Sequence, residues 1–302
     1  MIARIVKWAL AFIGAWRVFG PIVTPGFPSP QEHPWKLPGR TVFVGDLEFL
    51  VRQVGDSSKP DLVLIHGLSG ASLTEWHEIG PQLLDDFRLT IVENRNHGLS
   101  PRVTSRYRIE DNADDVAAVM AEVGVDRAHV VGYSMGGTVA QALAHQHPDR
   151  VERLALVSTF SFHPPLWKWS RLASAVIIRA WERVTGTGTP EVRATYLLLT
   201  GAVKRKYAKF MWEENQRRDP DGGAAASMAL YRFDSRSWVS QIDKPTLVMI
   251  PSRDQLVPVS WQHDLASRIP DATVRTVEGA FHEVVWTHPE HVADALREFL
   301  SA

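Results

Sequence analysis

The chain is predicted to fold as an α/β protein on a mostly parallel eight-stranded sheet with helices on both faces. Three observations predict it. Apolar runs of four or five residues recur along the chain without the polar alternation of a sheet that has one wet face. Helix-sized segments separate these runs, so that neighbouring strands return in the same direction. Finally, the apolar run at 128–131 passes into Gly132, Ser134 and Gly136 and then into helical spacing from Thr138, which is a strand, a tight turn and a helix in succession. With 302 residues the chain suits one large α/β unit carrying an insertion, and it can bury an ample core.

Taken in order, residues 41–44 and 47–54 alternate around Gly45 and Asp46 as a first hairpin. Apolar strands are expected at 62–65, 89–92, 128–131, 154–157, 246–250 and 273–277. Helices are expected in the gaps, at 75–84, 109–123, 138–145, 259–267 and 289–300. The alternation stops between 160 and 239, where helical stretches are interrupted by Pro164 and Pro165, by the Gly/Thr run at 185–190 and by 219–223. The expected organisation is an N-terminal apolar and basic segment with a Pro-rich connector at 1–40, a core at 41–159 and 240–302, and a helical cap (lid) inserted at 160–239. There is no internal repeat.

The turn around Ser134 is the main chemical signal. A turn that tight tolerates only small residues two before and two after the serine, and Gly132 and Gly136 meet that need. The hydroxyl then lies over the first turn of a helix, whose unpaired N–H groups and positive dipole end favour a developing anion. A serine hydroxyl is a weak nucleophile at neutral pH and needs a base with a group to orient it. His282 follows the strand at 273–277 and Asp254 follows the strand at 246–250, so both stand at carboxyl strand ends, where open α/β sheets gather their sites. Rival histidines have duller readings. His66 is read as structural, beneath the loop after 62–65, and His97 as bonded to loop backbone. His145, His147, His263, His288 and His291 lie on or beside helices and are expected to be solvated. An acid at the end of the preceding strand, near Ser158 and Thr159, is ruled out because no carboxylate stands there.

With its order of nucleophile, acid and base, the chain resembles the α/β-hydrolase-fold serine hydrolases over roughly 41–300. Five ordered landmarks carry the resemblance: His66-Gly67, Arg95-x-x-Gly98-x-Ser100, the Ser134 turn, the Asp254 loop and the His282 loop. It implies catalysis by Ser134, Asp254 and His282, with an oxyanion hole formed by the backbone N–H groups of Leu68 and Met135. Two departures stand out. Relatives usually carry aspartate and glycine where this chain has Glu93 and Asn96, which bears on loop packing more than on chemistry.

Lys and Arg number 33 against 34 Asp and Glu, so charge gives no argument for a nucleic-acid partner. There is no cysteine, which excludes disulfides and thiolate metal sites. Glu75 to His77 and Glu290-His291 carry no metal-ligand pattern, Asp114 and Asp115 read as structural or solvated, and there is no phosphate-cradling loop of Walker type; no metal and no cofactor are expected.

The stretch 161–218 holds eleven Lys and Arg against four Asp and Glu, together with Trp167, Trp169, Trp181 and Trp212. That mixture suits a lipid-water interface or an amphiphilic substrate, or else tryptophans packed onto the core among solvated cations. At the N-terminus, Arg4, Lys7 and Arg17 flank a nine-residue apolar run at 8–16, well short of the ~20 residues that span a bilayer. An interfacial anchor, a helix packed on the cap and a signal or spanning segment are all open, and Trp16, Arg17 and Phe19 stand where a cleavage site would need small residues. The expectation is a cytoplasmic, membrane-touching serine hydrolase of lipid-like or other hydrophobic acyl esters, with contact through 1–22 and the cap. Carbon-carbon hydrolysis of a diketone, acyl transfer and a silent small-molecule receptor on the same fold are the alternatives, and oligomeric state is open.

Overall fold

The computed structural model describes residues 35, 37–68, 72–103, 105–164, 173, 177 and 220–302. Contacts divide the chain into two units. The one described below is Trp35–Trp169 with Arg218–Ala302. The other, Met1–Pro34 with Ser170–Arg217, lies outside the described residues apart from Ala173 and Ile177, and with it the segment expected as an N-terminal anchor and most of the expected cap.

Eight strands form one sheet: β1 (Arg40–Val44), β2 (Leu47–Val54), β3 (Asp61–Ile65), β4 (Arg88–Val92), β5 (Ala128–Tyr133), β6 (Val151–Val157), β7 (Thr246–Pro251) and β8 (Thr273–Val277). Their order is β1-β2-β4-β3-β5-β6-β7-β8. Only β2 is antiparallel to its neighbours; all other pairs are parallel. Strand order reverses between β3 and β5, which opens a crevice past their carboxyl ends.

From β3 to β7 the continuous apolar runs are explained by burial on both faces, whereas β8, expected among them, is the last strand at the sheet edge and is exposed at four of its five residues. Val63, Ile65, Val130, Leu154, Leu156, Val248 and Ile250 join one core cluster. The alternating Leu62, Leu64, Val131, Ala155, Val157, Leu247 and Met249 are equally buried on the other side. The helices are α1 (Ser72–Trp76), α2 (Gly80–Leu83), α3 (Ile109–Glu122), α4 (Met135–Gln146), α5 (Pro220–Arg232), α6 (Val259–Arg268), α7 (Val284–Thr287) and α8 (Pro289–Leu300). α3 packs on α4, whereas α1, α2, α7 and α8 pack among themselves.

One expected helix is two. The stretch 75–84 breaks into α1 and α2, because Pro81 has no N–H to continue the ladder and its ring would meet the carbonyl four residues back. Packing sets the same point: a Cβ on Gly80 would lie 2.1 Å from the Trp35 ring. Four of the histidines expected in solvent have partners, His288 and His291 meeting each other with ring centroids 6.0 Å apart. His147 Nε2 is 2.8 Å from Asp114 Oδ1, and His145 stacks on Trp238 with centroids 4.5 Å apart. No helix among the described residues is long and apolar enough to cross a membrane.

The chain leaves the sheet after β6 and returns before β7 at one joint. Phe162 and Asp234 form an antiparallel bridge, and Ser235 N–H donates to Ser161 O at 2.8 Å. Gln141 of α4 fastens both sides, donating to Phe160 O at 3.0 Å and accepting from Ser235 Oγ at 2.8 Å.

Candidate active site

Ser134 stands between β5 and α4 at φ 53° and ψ −117°, a backbone shape that L side chains rarely adopt. The glycines around it are required by contact. A Cβ on Gly132 would lie 2.3 Å from Gly136 O, and one on Gly136 would lie 2.1 Å from Ile65 O at the end of β3. Gly137 is equally constrained, since Thr159 occupies the space its Cβ would take. Thr159 uses that proximity to donate from Oγ1 to Ser134 O at 2.8 Å, while Ser134 N–H donates to Val157 O at 2.9 Å. Between 128 and 144 Ser134 is the one residue that is not buried. The turn therefore holds its serine by the backbone and presents the hydroxyl.

Ser134 Oγ lies 3.0 Å from His282 Nε2, and His282 Nδ1 lies 2.8 Å from Asp254 Oδ2. The carboxylate accepts Nδ1–H, so Nε2 is left as the acceptor for the hydroxyl. Asp254 is itself fully engaged. Its Oδ1 accepts the N–H groups of Leu256 and Val257 at 2.9 and 2.8 Å, and Oδ2 also accepts from Gln262 Nε2 at 3.0 Å. Four donors around a buried side chain compensate the loss of water around an anion. The two loops are tied to each other as well: Arg253 N–H donates to Ala280 O at 2.9 Å, and Gly279 N–H donates to Ser252 Oγ at 2.8 Å. Tyr133, next to Ser134, donates its hydroxyl to His282 O at 3.0 Å and packs against the imidazole at 5.4 Å.

The loop after β3 borders the same spot. A Cβ on Gly67 would lie 3.2 Å from Ser134 Cβ, which places this loop against the serine turn. His66 is structural: Nδ1 donates to Gly67 O at 2.8 Å and Nε2 accepts Asn94 N–H at 3.0 Å, which fixes its tautomer. Met135 opens α4, so its N–H falls outside the intrahelical ladder. The two backbone positions expected to bind an oxyanion thus belong to segments that flank Ser134.

Both departures from the usual landmark pattern are accommodated. Glu93 is buried and accepts Leu99 N–H at 2.9 Å across the loop. Asn96 sits at φ 65°, the conformation that usually asks for glycine, and its amide bonds Val103 in both directions, at 2.9 and 2.6 Å. Arg95 reaches α3 in a buried bidentate pair with Asp115 at 2.6 and 2.7 Å, so Asp115 is structural.

Sequence reasoning missed Tyr133, Thr159 and Gln262, and weighed Glu75 only as a metal ligand. Glu75 is fully buried and accepts Gly67 N–H at 2.7 Å, beside Ser134.

Over residues 60–289 the chain matches the family model described as the alpha/beta hydrolase fold. It is similar to the "Putative carbamate hydrolase RutD" of Caulobacter sp. (strain K31), with 32% identity over 270 residues that span 85% of this chain and 97% of that one. It is also similar to the pimeloyl-acyl-carrier-protein methyl ester esterase of Chromobacterium violaceum, with 28% identity over 245 residues that span 80% of this chain and 94% of that one. Among solved structures, the enol-lactonase from Burkholderia xenovorans LB400 superimposes with a TM-score of 0.76 at 25% identity, covering 87% of this chain and all of that one. A sheet of this order, a strained serine at its switch point and a match across more than two thirds of the sequence lead to one conclusion: the chain belongs to the alpha/beta hydrolase fold family.

Proposed function

We propose that the protein is a serine hydrolase that cleaves carboxylic esters through an acyl-enzyme. The observation that carries this reading is the hydrogen-bonded line from Ser134 Oγ through His282 to Asp254, at 3.0 and 2.8 Å. In the proposed reaction His282 Nε2 takes the hydroxyl proton as Ser134 Oγ adds to the ester carbonyl. Asp254 keeps the imidazole in its tautomer and stabilises the cation that forms. The carbonyl oxygen becomes an oxyanion facing the N–H groups of Leu68 and Met135. Collapse expels the alcohol, which receives the proton from His282. Water then gives a proton to His282 and adds to the acyl carbon, and breakdown releases the acid and restores the serine.

The substrate is proposed to carry a hydrophobic acyl group. Leu256 and Phe281 support this, because they keep 49% and 39% of their surface exposed beside the acid and the base. Each substrate methylene buried there contributes up to about 0.8 kcal/mol. An ester series run from acetate to long acyl chains tests it: kcat/KM should climb with length, and a steady fall from acetate onward overturns the preference.

Carbamate hydrolysis is a second reading, favoured by the 32% identity to the relative named a carbamate hydrolase. The same nucleophile adds to a carbamate carbonyl, whose nitrogen makes it a weaker electrophile. Turnover of a carbamate faster than of the matched ester would replace the first reading by the second.

Residues 1–22 are proposed to touch membrane surfaces, since three cations flank their apolar run. Deleting them should release the protein from anionic liposomes and spare hydrolysis of a soluble short ester. A truncated protein that loses that hydrolysis sinks the proposal.

A further inference from the structure

We infer that Glu75 is a positioning residue that sets how the loop after β3 lies against Ser134, and through it the aim of the Leu68 N–H. The inference rests on the reading of Ser134 as nucleophile and Leu68 as oxyanion donor. Glu75 has no exposed surface, and its Oε2 accepts Gly67 N–H at 2.7 Å, a bond out of reach of water. Gly67 is squeezed between that carboxylate and the nucleophile. A Cβ built on it would lie 3.2 Å from Glu75 Oε2, from Ser134 Cβ and from Tyr133 Cδ1 alike.

Two consecutive peptide planes are held here. In the first, His66 O accepts from Asn94 Nδ2 at 3.1 Å and Gly67 N–H is held by Glu75. In the second, Gly67 O accepts from His66 Nδ1 at 2.8 Å. A trans peptide is planar, so its C=O and N–H point in opposite directions. Holding Gly67 O on the His66 side therefore turns the Leu68 N–H to the other side. Glu75 is the hold on the first plane that comes from outside the β3 and β4 loops. Its helix α1 is fixed in turn by Trp286 of α7, whose Nε1–H donates to Thr74 O at 2.9 Å. With Glu75 truncated, the Gly67 N–H loses this acceptor and the first plane is held by Asn94 alone.

The test compares Glu75→Ala, Glu75→Gln and Glu75→Asp in the full chain on a short soluble ester and on its thionoester. A misplaced oxyanion donor should lower kcat of Glu75→Ala by roughly 10- to 100-fold with KM within about two-fold. Glu75→Gln, whose amide oxygen can still accept the N–H, should stay within a few-fold of the parent. The ester should suffer more than the thionoester, because a large, weakly accepting sulfur gains little from a tight hole; the oxygen-to-sulfur rate ratio should therefore fall. Should Glu75→Ala not fold, Glu75→Asp, one methylene short of Gly67, should show the same changes in reduced size. Parental kcat in Glu75→Ala, equal damage in Glu75→Gln and Glu75→Ala, or an unmoved oxygen-to-sulfur ratio overturns the inference. Labelling by a fluorophosphonate separates the two levels. An unlabelled parent sinks the nucleophile reading and this inference with it, whereas equal labelling rates in the parent and Glu75→Ala sink only the role of Glu75.

Discussion

Ser134, at φ 53°, and Asn96, at φ 65°, both lie in loops at the carboxyl edge of the sheet and both hold backbone conformations that cost an L residue energy. Asn96 compensates with its own side chain, which donates to and accepts from Val103. Ser134 does nothing of the kind. Its hydroxyl makes no bond to the helix it opens, and the turn is held instead by Val157 O, by Thr159 Oγ1 and by glycines packed on backbone. A side chain used to hold its own backbone is unavailable for chemistry. The difference separates a loop that stabilises itself from one held by its surroundings so that its serine can face His282.

The largest break in that comparison is Ser134→Ala, expected to lower turnover by about six orders of magnitude with no loss of stability, as measured by kcat and by thermal melting. His282→Ala should be nearly as damaging. Asp254→Asn should lose about four orders, because it disturbs the tautomer rather than removing a reacting group. Parental activity in Asp254→Ala would move the third member elsewhere.

A second contrast lies in what a methyl group would strike. Gly136→Ala drives a Cβ to 2.1 Å from Ile65 O, a backbone atom locked in the central sheet, and should cost about 3 kcal/mol or more in urea unfolding. Gly98→Ala meets Glu93 at 2.2 Å, but that contact is a side chain that can swing, so the loss should be smaller, about 1 to 2 kcal/mol, including the strain at φ 49°. Equal losses would mean that the loop after β4 is as rigid as the serine turn.

Asn96→Ala should cost about 2 kcal/mol, for two lost hydrogen bonds and an unrelieved φ, with kcat on a soluble ester unchanged. Asn96→Gly should cost about half as much because its φ is no longer strained. Ser134→Gly should do the reverse, gaining about 1 kcal/mol while abolishing activity. A Ser134→Gly protein less stable than Ser134→Ala would show that the turn is not strained.

The smallest effect separates acid sensitivity of stability from that of activity. His129 on β5 is buried with no partner for Nδ1 among the described residues, and burial, aided by Arg153 and Arg127 against Glu152, pushes its affinity for a proton down. As pH falls through the ordinary imidazole range, near 6.5, the unfolded chain takes up a proton that the folded chain refuses. Stability present above that range is thus lost on acidification. His129→Gln should flatten the decline between about pH 8 and pH 5 and leave the pH dependence of kcat alone. Identical declines in the two proteins would exclude His129.

Much of this was legible in the chain because the signals are local. The glycines at 132 and 136 announce the turn, and uninterrupted apolar runs announce strands buried twice over. The partners that make the site work are not local. Tyr133 meets His282 across 149 positions and Trp286 meets Thr74 across 212, so no spacing records them. Gln262 looks like any residue on an amphipathic helix, and Glu75 like a surface carboxylate, until the fold closes over both. The break between α1 and α2 shows the same limit: Pro81 hints at it, but the ring of Trp35, far upstream, fills the gap.

The bridge between Phe162 and Asp234 bears on how such a molecule can diversify. Bridged residues lie about one strand spacing, roughly 5 Å, apart, so whatever chain runs between them begins and ends at the same fastening. Closing a loop of twice the length costs only about 0.6 kcal/mol more, a small toll against a sheet stabilised elsewhere. That joint works as a socket. Inserts of different length and composition can be exchanged there, in evolution or by graft, while the serine, the imidazole and the carboxylate keep their places in the sheet's own loops.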